Sequence, residues 1–305
     1  MTDKPVNVFL DTDIGPDCDD AAALAILLRL CQEGRSRLLG VTHCTGSPYG
    51  LATIDAICRY FGVSVPLGTC PDRGFLSSEE ATRYTRPISQ TFEHGFAPDA
   101  LQPDATQTLI RALERAPQEG VTFVAIGPLN NVARYLADPQ AGPLMVSRVR
   151  RMVLMAGCFE GEKDFTEWNV AMDIPAARGV IERWPGELYL CPFEAAAQVL
   201  TGACLTGTRN PVETAYRIFT QGAMLRPSWD LATVAVAVLD AQPPFEWSAA
   251  GDITIDAAGV TRFAPRADGK ARYLRLNAAP EAGARLLEDL LGRAVATMNQ
   301  NAKRY

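Results

Sequence analysis

The sequence of 305 residues has no apolar run that approaches the about 18 residues of a membrane-spanning helix. It begins with a strand-like segment, without the positively charged and then apolar regions of a secretory signal peptide. It also lacks a block of Lys and Arg, and its formal net charge is −6. Affinity for nucleic acid depends largely on such basic blocks. We therefore expect a cytoplasmic protein that binds neither membranes nor nucleic acid.

Paired cysteines are absent as well, because the eight cysteines are scattered singly and none forms a C-x-x-C pair. This excludes the usual patterns of zinc sites and thioredoxin-like redox motifs. Single cysteines of this kind are typical of small buried residues in a reducing compartment. No Gly-rich phosphate loop is present either, since Gly15 stands alone and no Lys-Ser/Thr follows it.

Short apolar runs alternate with helical patterns along most of the chain, with no internal repeat and no long polar linker. The runs are Val6–Leu10, Leu38–His43, Val121–Ile126, Val149–Met155 and Glu187–Cys191. The helical patterns are Asp20–Glu33, Leu51–Phe61, Thr106–Ala116, Asn130–Ala137 and Pro175–Trp184. Strands that alternate with helices predict an α/β fold in which helices cover both faces of a mostly parallel central sheet.

The last third of the sequence predicts two helices, a hairpin, a strand and a final amphipathic helix. The helices are Val212–Leu225 and Asp230–Leu239, the hairpin pairs Ile253–Ile255 with Val260–Phe263, and the strand is Tyr273–Leu276. We expect residues 1–305 to form a single domain with this small C-terminal hairpin. Its ligand should bind at the carboxyl ends of the parallel strands.

Five aspartates follow the first predicted strand within ten residues, and they are Asp11, Asp13, Asp17, Asp19 and Asp20. Carboxylates this close repel one another unless positive charge compensates them. The N-terminus of the next helix supplies part of that charge, and a hard divalent cation such as Ca²⁺ is suited to supply the rest. The spacing is not that of an EF-hand. Helix capping and solvation, the alternative, would account for only one or two of the five.

The pattern Asp11-x-Asp13-x-Gly15, followed by Asp19-Asp20 and an Ala/Leu helix, resembles the signature of the inosine–uridine-preferring nucleoside hydrolases. Further segments resemble motifs of that family, and they are His94-Gly95, Gly127-Pro128-Leu129-Asn130-Asn131, Glu167-Trp168-Asn169 with Asp173 and Ala176-Ala177, and Ser228-Trp229-Asp230. The resemblance implies a nucleoside hydrolase fold and a homodimer or homotetramer. It also implies Ca²⁺-dependent hydrolysis of the N-glycosidic bond of a ribonucleoside, which gives ribose and a free base.

The resemblance also implies the metal ligands. Asp13, Asp20, Asp230 and the backbone carbonyl of Asn130 would hold Ca²⁺ together with a water, and Asp13 would accept the proton of that water. For Asn130 and Asp230, a simple helix-capping role remains open.

A second group of residues is implied to bind the substrate. Asp19 would bind the ribose 2′-hydroxyl, Asp230 and Asn169 the 3′-hydroxyl, and Glu167 the 5′-hydroxyl, while His94 would lie beside the pocket. Anionic oxygens suit this chemistry, because N-ribosidic cleavage passes through an oxocarbenium-like state that they stabilise. Glu167 and Asn169 could instead face solvent, and His94 could be an ordinary loop residue.

Three departures from the family pattern affect these expectations. The aspartate loop is two residues longer than the common form, so Asp17 could replace one of the named ligands. Trp229 stands where many members carry a histidine that protonates the leaving base; its indole N–H is not acidic, so we expect it to stack on the base or to pack in the core. Ser47 replaces a usual asparagine near the ribose, which predicts reduced activity on ordinary nucleosides.

Two other functions remain open at this point. The same acidic cluster with Mg²⁺ could serve a phosphohydrolase whose first aspartate, Asp11, is the nucleophile, although the later lysine and acidic pair of such enzymes are not evident. Alternatively, the protein could be a nucleoside or ribose sensor without turnover, as Trp229 and Ser47 suggest. Release of ribose, release of phosphate, or binding alone would distinguish the three. The preferred base and sugar are not predicted.

Overall fold

The structure is a computed structural model that describes residues 4–118, 120–161 and 164–302. Its strands are β1 (Val6–Thr12), β2 (Ser36–His43), β3 (Leu67–Thr69), β4 (Val121–Ala125), β5 (Val149–Met155), β6 (Glu187–Cys191), β7 (Leu200–Thr201), β8 (Arg226–Pro227), β9 (Phe245–Trp247), β10 (Gly251–Ile255), β11 (Thr261–Pro265) and β12 (Ala271–Leu276). Its α-helices are α1 (Asp19–Gln32), α2 (Gly50–Tyr60), α3 (Thr85–Thr91), α4 (Ala105–Glu114), α5 (Asn130–Ala137), α6 (Ala141–Arg148), α7 (Trp168–Met172), α8 (Ile174–Arg183), α9 (Phe193–Ala196), α10 (Pro211–Phe219), α11 (Trp229–Leu239) and α12 (Pro280–Ala302).

One large sheet organises these elements, in the order β11-β10-β12-β6-β5-β4-β1-β2-β3. Every neighbouring pair from β12 to β3 is parallel, while β10 and β11 form an antiparallel hairpin at one end and β9 pairs antiparallel with β12. The predicted α/β fold with a mostly parallel sheet and a C-terminal hairpin is therefore confirmed.

Apolar side chains fill a separate core on each face of the sheet, which explains why its central strands are almost continuously apolar. In β1, Leu10 packs into one core and its neighbour Phe9 into the other. Helices α1, α2, α11 and α12 contribute to the first core, and α4, α5, α6 and α8 to the second. All five residues of β4 are buried. The central strands are thus covered on both sides.

Helices α1 and α11 pack against each other in the first core. Residues Ala21 to Ala23 of α1 and Ala235 of α11 are buried there. The N-terminal turns of the two helices meet, since the backbone N–H of Asp230 donates to Asp19. Both helices therefore direct the positive ends of their dipoles at the same point.

The predicted elements differ from the observed ones where the sequence signal is short or broken. Strand β3 has three residues, too few to show an alternation, and α6 contains Gly142 and Pro143, which are poor helix formers. The helix predicted to reach Leu225 ends at Phe219, because Gln221 and Gly222 adopt positive φ angles of 53° and 91°. Within the described ranges, no helix combines the length and the apolar character that crossing a membrane requires.

Candidate active site

A cavity of about 430 Å³ opens at the carboxyl ends of β1, β4 and β5, where Asp13, Ile126 and Met155 line it. Its other acidic lining residues are Asp17, Asp19, Asp20, Glu80, Glu167 and Asp230. Its aromatic lining residues are Trp168, Phe193 and Trp229, and Arg226 also reaches it. The ligand position expected for a parallel sheet thus coincides with the aspartate loop.

Three carboxyl groups from the two helix N-termini form a compact cluster at the bottom of this cavity. One oxygen each of Asp19, Asp20 and Asp230 lies within 4.8 Å of the others. All three residues are buried, and the backbone N–H of Asp230 donates to Asp19 Oδ2 at 3.1 Å. Within the described residues, Asp20 Oδ2 has no hydrogen-bond partner. The geometry is one that a divalent cation can bridge.

Burial raises the pKa of all four carboxyl groups of Asp13, Asp19, Asp20 and Asp230, and the charges of neighbouring aspartates raise it further. Both causes disfavour the ionised form when nothing compensates the charge. A bound cation would reverse this balance, since its charge favours carboxylates. The site is therefore electrostatically incomplete on its own.

Asp11 lies behind the cluster rather than in the cavity lining. Its Oδ1 accepts hydrogen bonds from Thr42 Oγ1 at 2.5 Å and from Asn131 Nδ2 at 2.9 Å. The residue is fully buried, and burial raises its pKa to about 7. Asp11 therefore holds β2 and the start of α5 against β1.

The turn between β4 and α5 packs directly against Asp13. A Cβ atom at Gly127 would lie 2.7 Å from Asp13 Oδ1 and 2.8 Å from Cys44 Sγ, so only glycine fits. Asn130 donates from Nδ2 to the carbonyl of Cys44 at 2.8 Å, and its Oδ1 has no partner among the described residues. Leu129 occupies the N-cap position of α5, so the capping alternative for Asn130 is wrong.

Glu167 and Asn169 form the opposite wall of the cavity and are both buried, so the solvent-facing alternative is wrong. Glu167 caps α7: Oε1 accepts from Asn169 N at 2.7 Å, and Oε2 accepts from Val170 N and Gly157 N, each at 3.2 Å. Burial raises the pKa of Glu167 to about 7, although these hydrogen bonds lower it. Asn169 Nδ2 donates to the carbonyl of Met155 at 3.0 Å, which orients its side chain.

Trp229 lines the cavity, but its polar group is already engaged. Its Nε1–H donates to the carbonyl of Phe193 at 2.8 Å, and the two rings stack with centroids 5.3 Å apart. The residue is also packed against the first core. Trp229 thus serves as core and as cavity wall at once. Trp168, which the sequence motif contains but to which we assigned no role, lines the same cavity and is 42% exposed.

Asp17 forms an ion pair with Arg226 that the sequence did not predict. Arg226 Nε donates to Asp17 Oδ1 at 2.9 Å, and Nη2 donates to Oδ2. The hydroxyl of Tyr84 also donates to the carbonyl of Asp17 at 2.6 Å. Asp17 therefore lies outside the group of three carboxyl groups and is paired with the arginine of β8, although it lines the same cavity.

The structure does not bring Ser47 or His94 into the cavity lining. Ser47 is buried, and its Oγ accepts from the backbone N–H of Tyr49 at 3.3 Å. His94 lies in the loop after α3, where Phe96 N donates to its Nδ1 and its Nε2 is 2.7 Å from the carbonyl of Ser89. Since Nδ1 is an acceptor, Nε2 carries the proton. Both side chains hold local loops together.

Comparison with known proteins gives a family model, described as inosine-uridine preferring nucleoside hydrolase, that matches residues 8–263. The non-specific ribonucleoside hydrolase RihC of Salmonella enteritidis PT4 is 29% identical over 201 residues, which span 64% of this chain and 63% of that protein. A solved inosine-guanosine nucleoside hydrolase has a TM-score of 0.72 at 17% identity, over 95% of this chain and 98% of its own. A purine-preferring ribonucleoside hydrolase from Gardnerella vaginalis has a TM-score of 0.72 at 18% identity, over 96% and 99%. At these identities the two structures establish the fold.

Proposed function

This chain belongs to the inosine-uridine preferring nucleoside hydrolase family, as its motifs predicted, and from that membership we propose that it hydrolyses the N-glycosidic bond of a ribonucleoside or a close analogue. The observation that carries this proposal is the cluster of Asp19, Asp20 and Asp230 at the bottom of a cavity large enough for a small molecule. The products would be ribose and a free base.

A divalent cation fits the residues present, and we propose Ca²⁺. The donors are carboxylates and carbonyls, which hard cations prefer, and the free Oδ2 of Asp20 lacks a partner within the described part of the chain. Asp13, Asp20, Asp230 and the carbonyl of Asn130 would hold it. When bound, the cation would supply the positive charge that lowers the pKa of a nearby water.

The side chains then account for the hydrolytic step. We propose that Asp13 accepts the proton of the attacking water, since it lines the cavity beside the cluster. The water oxygen bonds to C1′ of the ribose as the bond from C1′ to the base nitrogen breaks. The carboxylates stabilise the positive charge that develops on the sugar in between.

The ribose is oriented from two sides in this proposal. Asp19 would accept a hydrogen bond from the 2′-hydroxyl, Asp230 and Asn169 would bind the 3′-hydroxyl, and Glu167 would reach the 5′-hydroxyl. Their location in the lining supports this assignment. Since Ser47 and His94 do not line the cavity, we propose no direct substrate contact for either. Trp168 and Trp229 offer flat apolar surfaces for the base.

The phosphohydrolase alternative is less well supported by the geometry. Its nucleophile would be Asp11, but that residue is fully buried behind the cavity and is held by Thr42 and Asn131. Among the described residues, the cavity lining holds one arginine, which is already paired with Asp17, so little positive charge is available there for a phosphate.

Release of free ribose from a panel of nucleosides, with calcium and with a chelator, tests the proposed function. We expect release that depends on the cation and is lost in Asp20→Ala and Asp230→Ala. Tight binding of nucleoside without ribose release would favour a sensor, and phosphate release from sugar phosphates would favour a phosphohydrolase. We further propose a homodimer or homotetramer, which size-exclusion chromatography with light scattering would test.

A further inference from the structure

We propose that Arg226 stabilises the departing base, by donating a hydrogen bond from its Nη1 amino group to an acceptor atom of that base. This inference rests on the proposed N-ribosyl hydrolysis and names the residue that acts on the leaving group. Trp229 stands where the family pattern has a proton donor, so another residue has to act on the leaving base.

The side chains that line the cavity leave few candidates for this task. No histidine is among the lining residues of the described chain, and the indole N–H of Trp229 donates to Phe193. Glu167 accepts backbone N–H groups on both of its oxygens, so it is held as an acceptor. Arg226 is the cationic donor of this lining.

The guanidinium of Arg226 is fixed in place before any ligand binds. Asp17 binds its Nε and Nη2, and its Cζ lies 5.0 Å from the ring centroid of Phe219 and 5.3 Å from that of Trp229. In the described part of the chain, Nη1 has no such partner, and the side chain is 31% exposed. A donor held this rigidly needs no reorganisation when charge develops beside it.

The step balances without a proton from the protein to the base. The electron pair of the breaking bond goes to the base nitrogen, while the water oxygen bonds to C1′ and its proton goes to Asp13. The Nη1 hydrogen bond stabilises the negative charge on the base, which takes a proton from solvent as it leaves. Asp13 returns its proton to solvent, and Arg226 keeps all of its own, as a guanidinium must.

Dependence on the leaving group tests the proposal. Arg226→Met is compared with wild type on inosine and on p-nitrophenyl β-D-ribofuranoside, whose nitrophenolate leaves without assistance. We expect kcat on inosine to fall about 100-fold, as for loss of one preorganised donor, with little change on the nitrophenyl riboside. Arg83→Met is the matched control, because Arg83 contacts the other ring neighbour, Phe219, at 4.7 Å but does not line the cavity.

Removal of Arg226 leaves Asp17 without its partner. The same comparison of substrates is therefore also made with the double variant that combines Asp17→Asn and Arg226→Met. Equal losses on both substrates, or no loss on inosine, would overturn the role of Arg226. Failure of the wild-type protein to release ribose from every nucleoside of the panel and from the nitrophenyl riboside would instead overturn the proposed function, and this inference with it. The two failures are therefore distinguishable.

Discussion

The backbone N–H of Asp230 donates to the Oδ2 of Asp19 at 3.1 Å, although 211 positions separate the two residues. This contact joins the N-termini of α1 and α11, so two helix dipoles favour negative charge at one point. Burial and then the charges of neighbouring aspartates raise the pKa of the carboxyl groups of Asp19, Asp20 and Asp230, so the dipoles do not fully offset these two effects. A cation bound by these carboxyl groups would supply the missing positive charge.

The first prediction concerns that cation. Calcium should raise the unfolding temperature of the wild-type protein above its value in a chelator. At a free calcium concentration of 100 times the dissociation constant, the free energy of unfolding should rise by about 2.7 kcal/mol. Asp20→Asn and Asp230→Asn should lose this increase. In chelator, however, both variants should be at least as stable as wild type, because each removes a buried repulsive charge.

Asp99→Asn is the control for that comparison, since it makes the same change of charge at an exposed residue. It should keep the calcium response of wild type. An undiminished calcium response in both Asp20→Asn and Asp230→Asn, followed by differential scanning fluorimetry, would contradict the proposed ligand set.

The second prediction concerns the turn that packs against Asp13. Gly127→Ala should abolish most ribose release, because its Cβ would lie 2.7 Å from Asp13 Oδ1 and 2.8 Å from Cys44 Sγ, and so displace the carboxyl group. Gly179→Ala is the matched control: nothing lies within 4 Å of its added Cβ in α8, so it should stabilise the helix by about 0.5–1 kcal/mol. Equal activity in the two variants would show that the turn does not position Asp13.

The third prediction separates the two possible roles of Trp229. Trp229→Phe keeps a ring beside Phe193 and loses the hydrogen bond to its carbonyl. We expect about 1 kcal/mol less stability and a kcat on inosine within about threefold of wild type. Trp229→His, assayed on inosine and uridine, completes the test: unchanged rates on both would remove Trp229 from the environment of the leaving base.

The elements and the aspartate loop could be predicted because their signals are local. Alternation of apolar runs with helical patterns gave the order of strands and helices, and the spacing from Asp11 to Asp20 indicated a cation site. Asn169 and Asp230 were found through motifs, and the structure brings both to the cavity. Their assigned roles stay predictions.

The ion pair of Asp17 and Arg226 could not be predicted, since 209 positions separate its partners and none of the recognised motifs includes Arg226. The same holds for the indole N–H of Trp229, whose acceptor is a backbone carbonyl 36 positions away. Ser47 and His94 show the limit of motif matching. Each matched a position in a family pattern, but neither lines the cavity, and both make local hydrogen bonds. Their assigned substrate contacts stay predictions.

The fourth prediction is a stability that depends on pH through His43, a fully buried residue in β2. Its ring nitrogens face the carbonyl of Ile14 at 3.3 Å and the hydroxyl groups of Thr45 and Thr69 at 3.1 and 3.4 Å. Burial lowers the pKa of His43 from 6.5 to about 4. Below pH 6.5 the unfolded chain therefore takes up a proton that the folded protein does not, and stability falls as the pH drops toward 4.

His43 should change the free energy of unfolding by about 3 kcal/mol over this pH range, as follows from the difference between its two pKa values. This change is measured by urea unfolding of wild type and His43→Gln from pH 7.5 to pH 4, in chelator. The buried aspartates have raised pKa values, so their contribution to the pH dependence of stability has the opposite sign. The quantity to follow is therefore the difference in unfolding free energy between wild type and His43→Gln. This difference should become smaller as the pH falls. Thr53→Val is the control, because it alters a buried residue that does not titrate. Its difference in unfolding free energy from wild type should stay constant with pH. A constant difference for His43→Gln as well would show that His43 does not resist protonation.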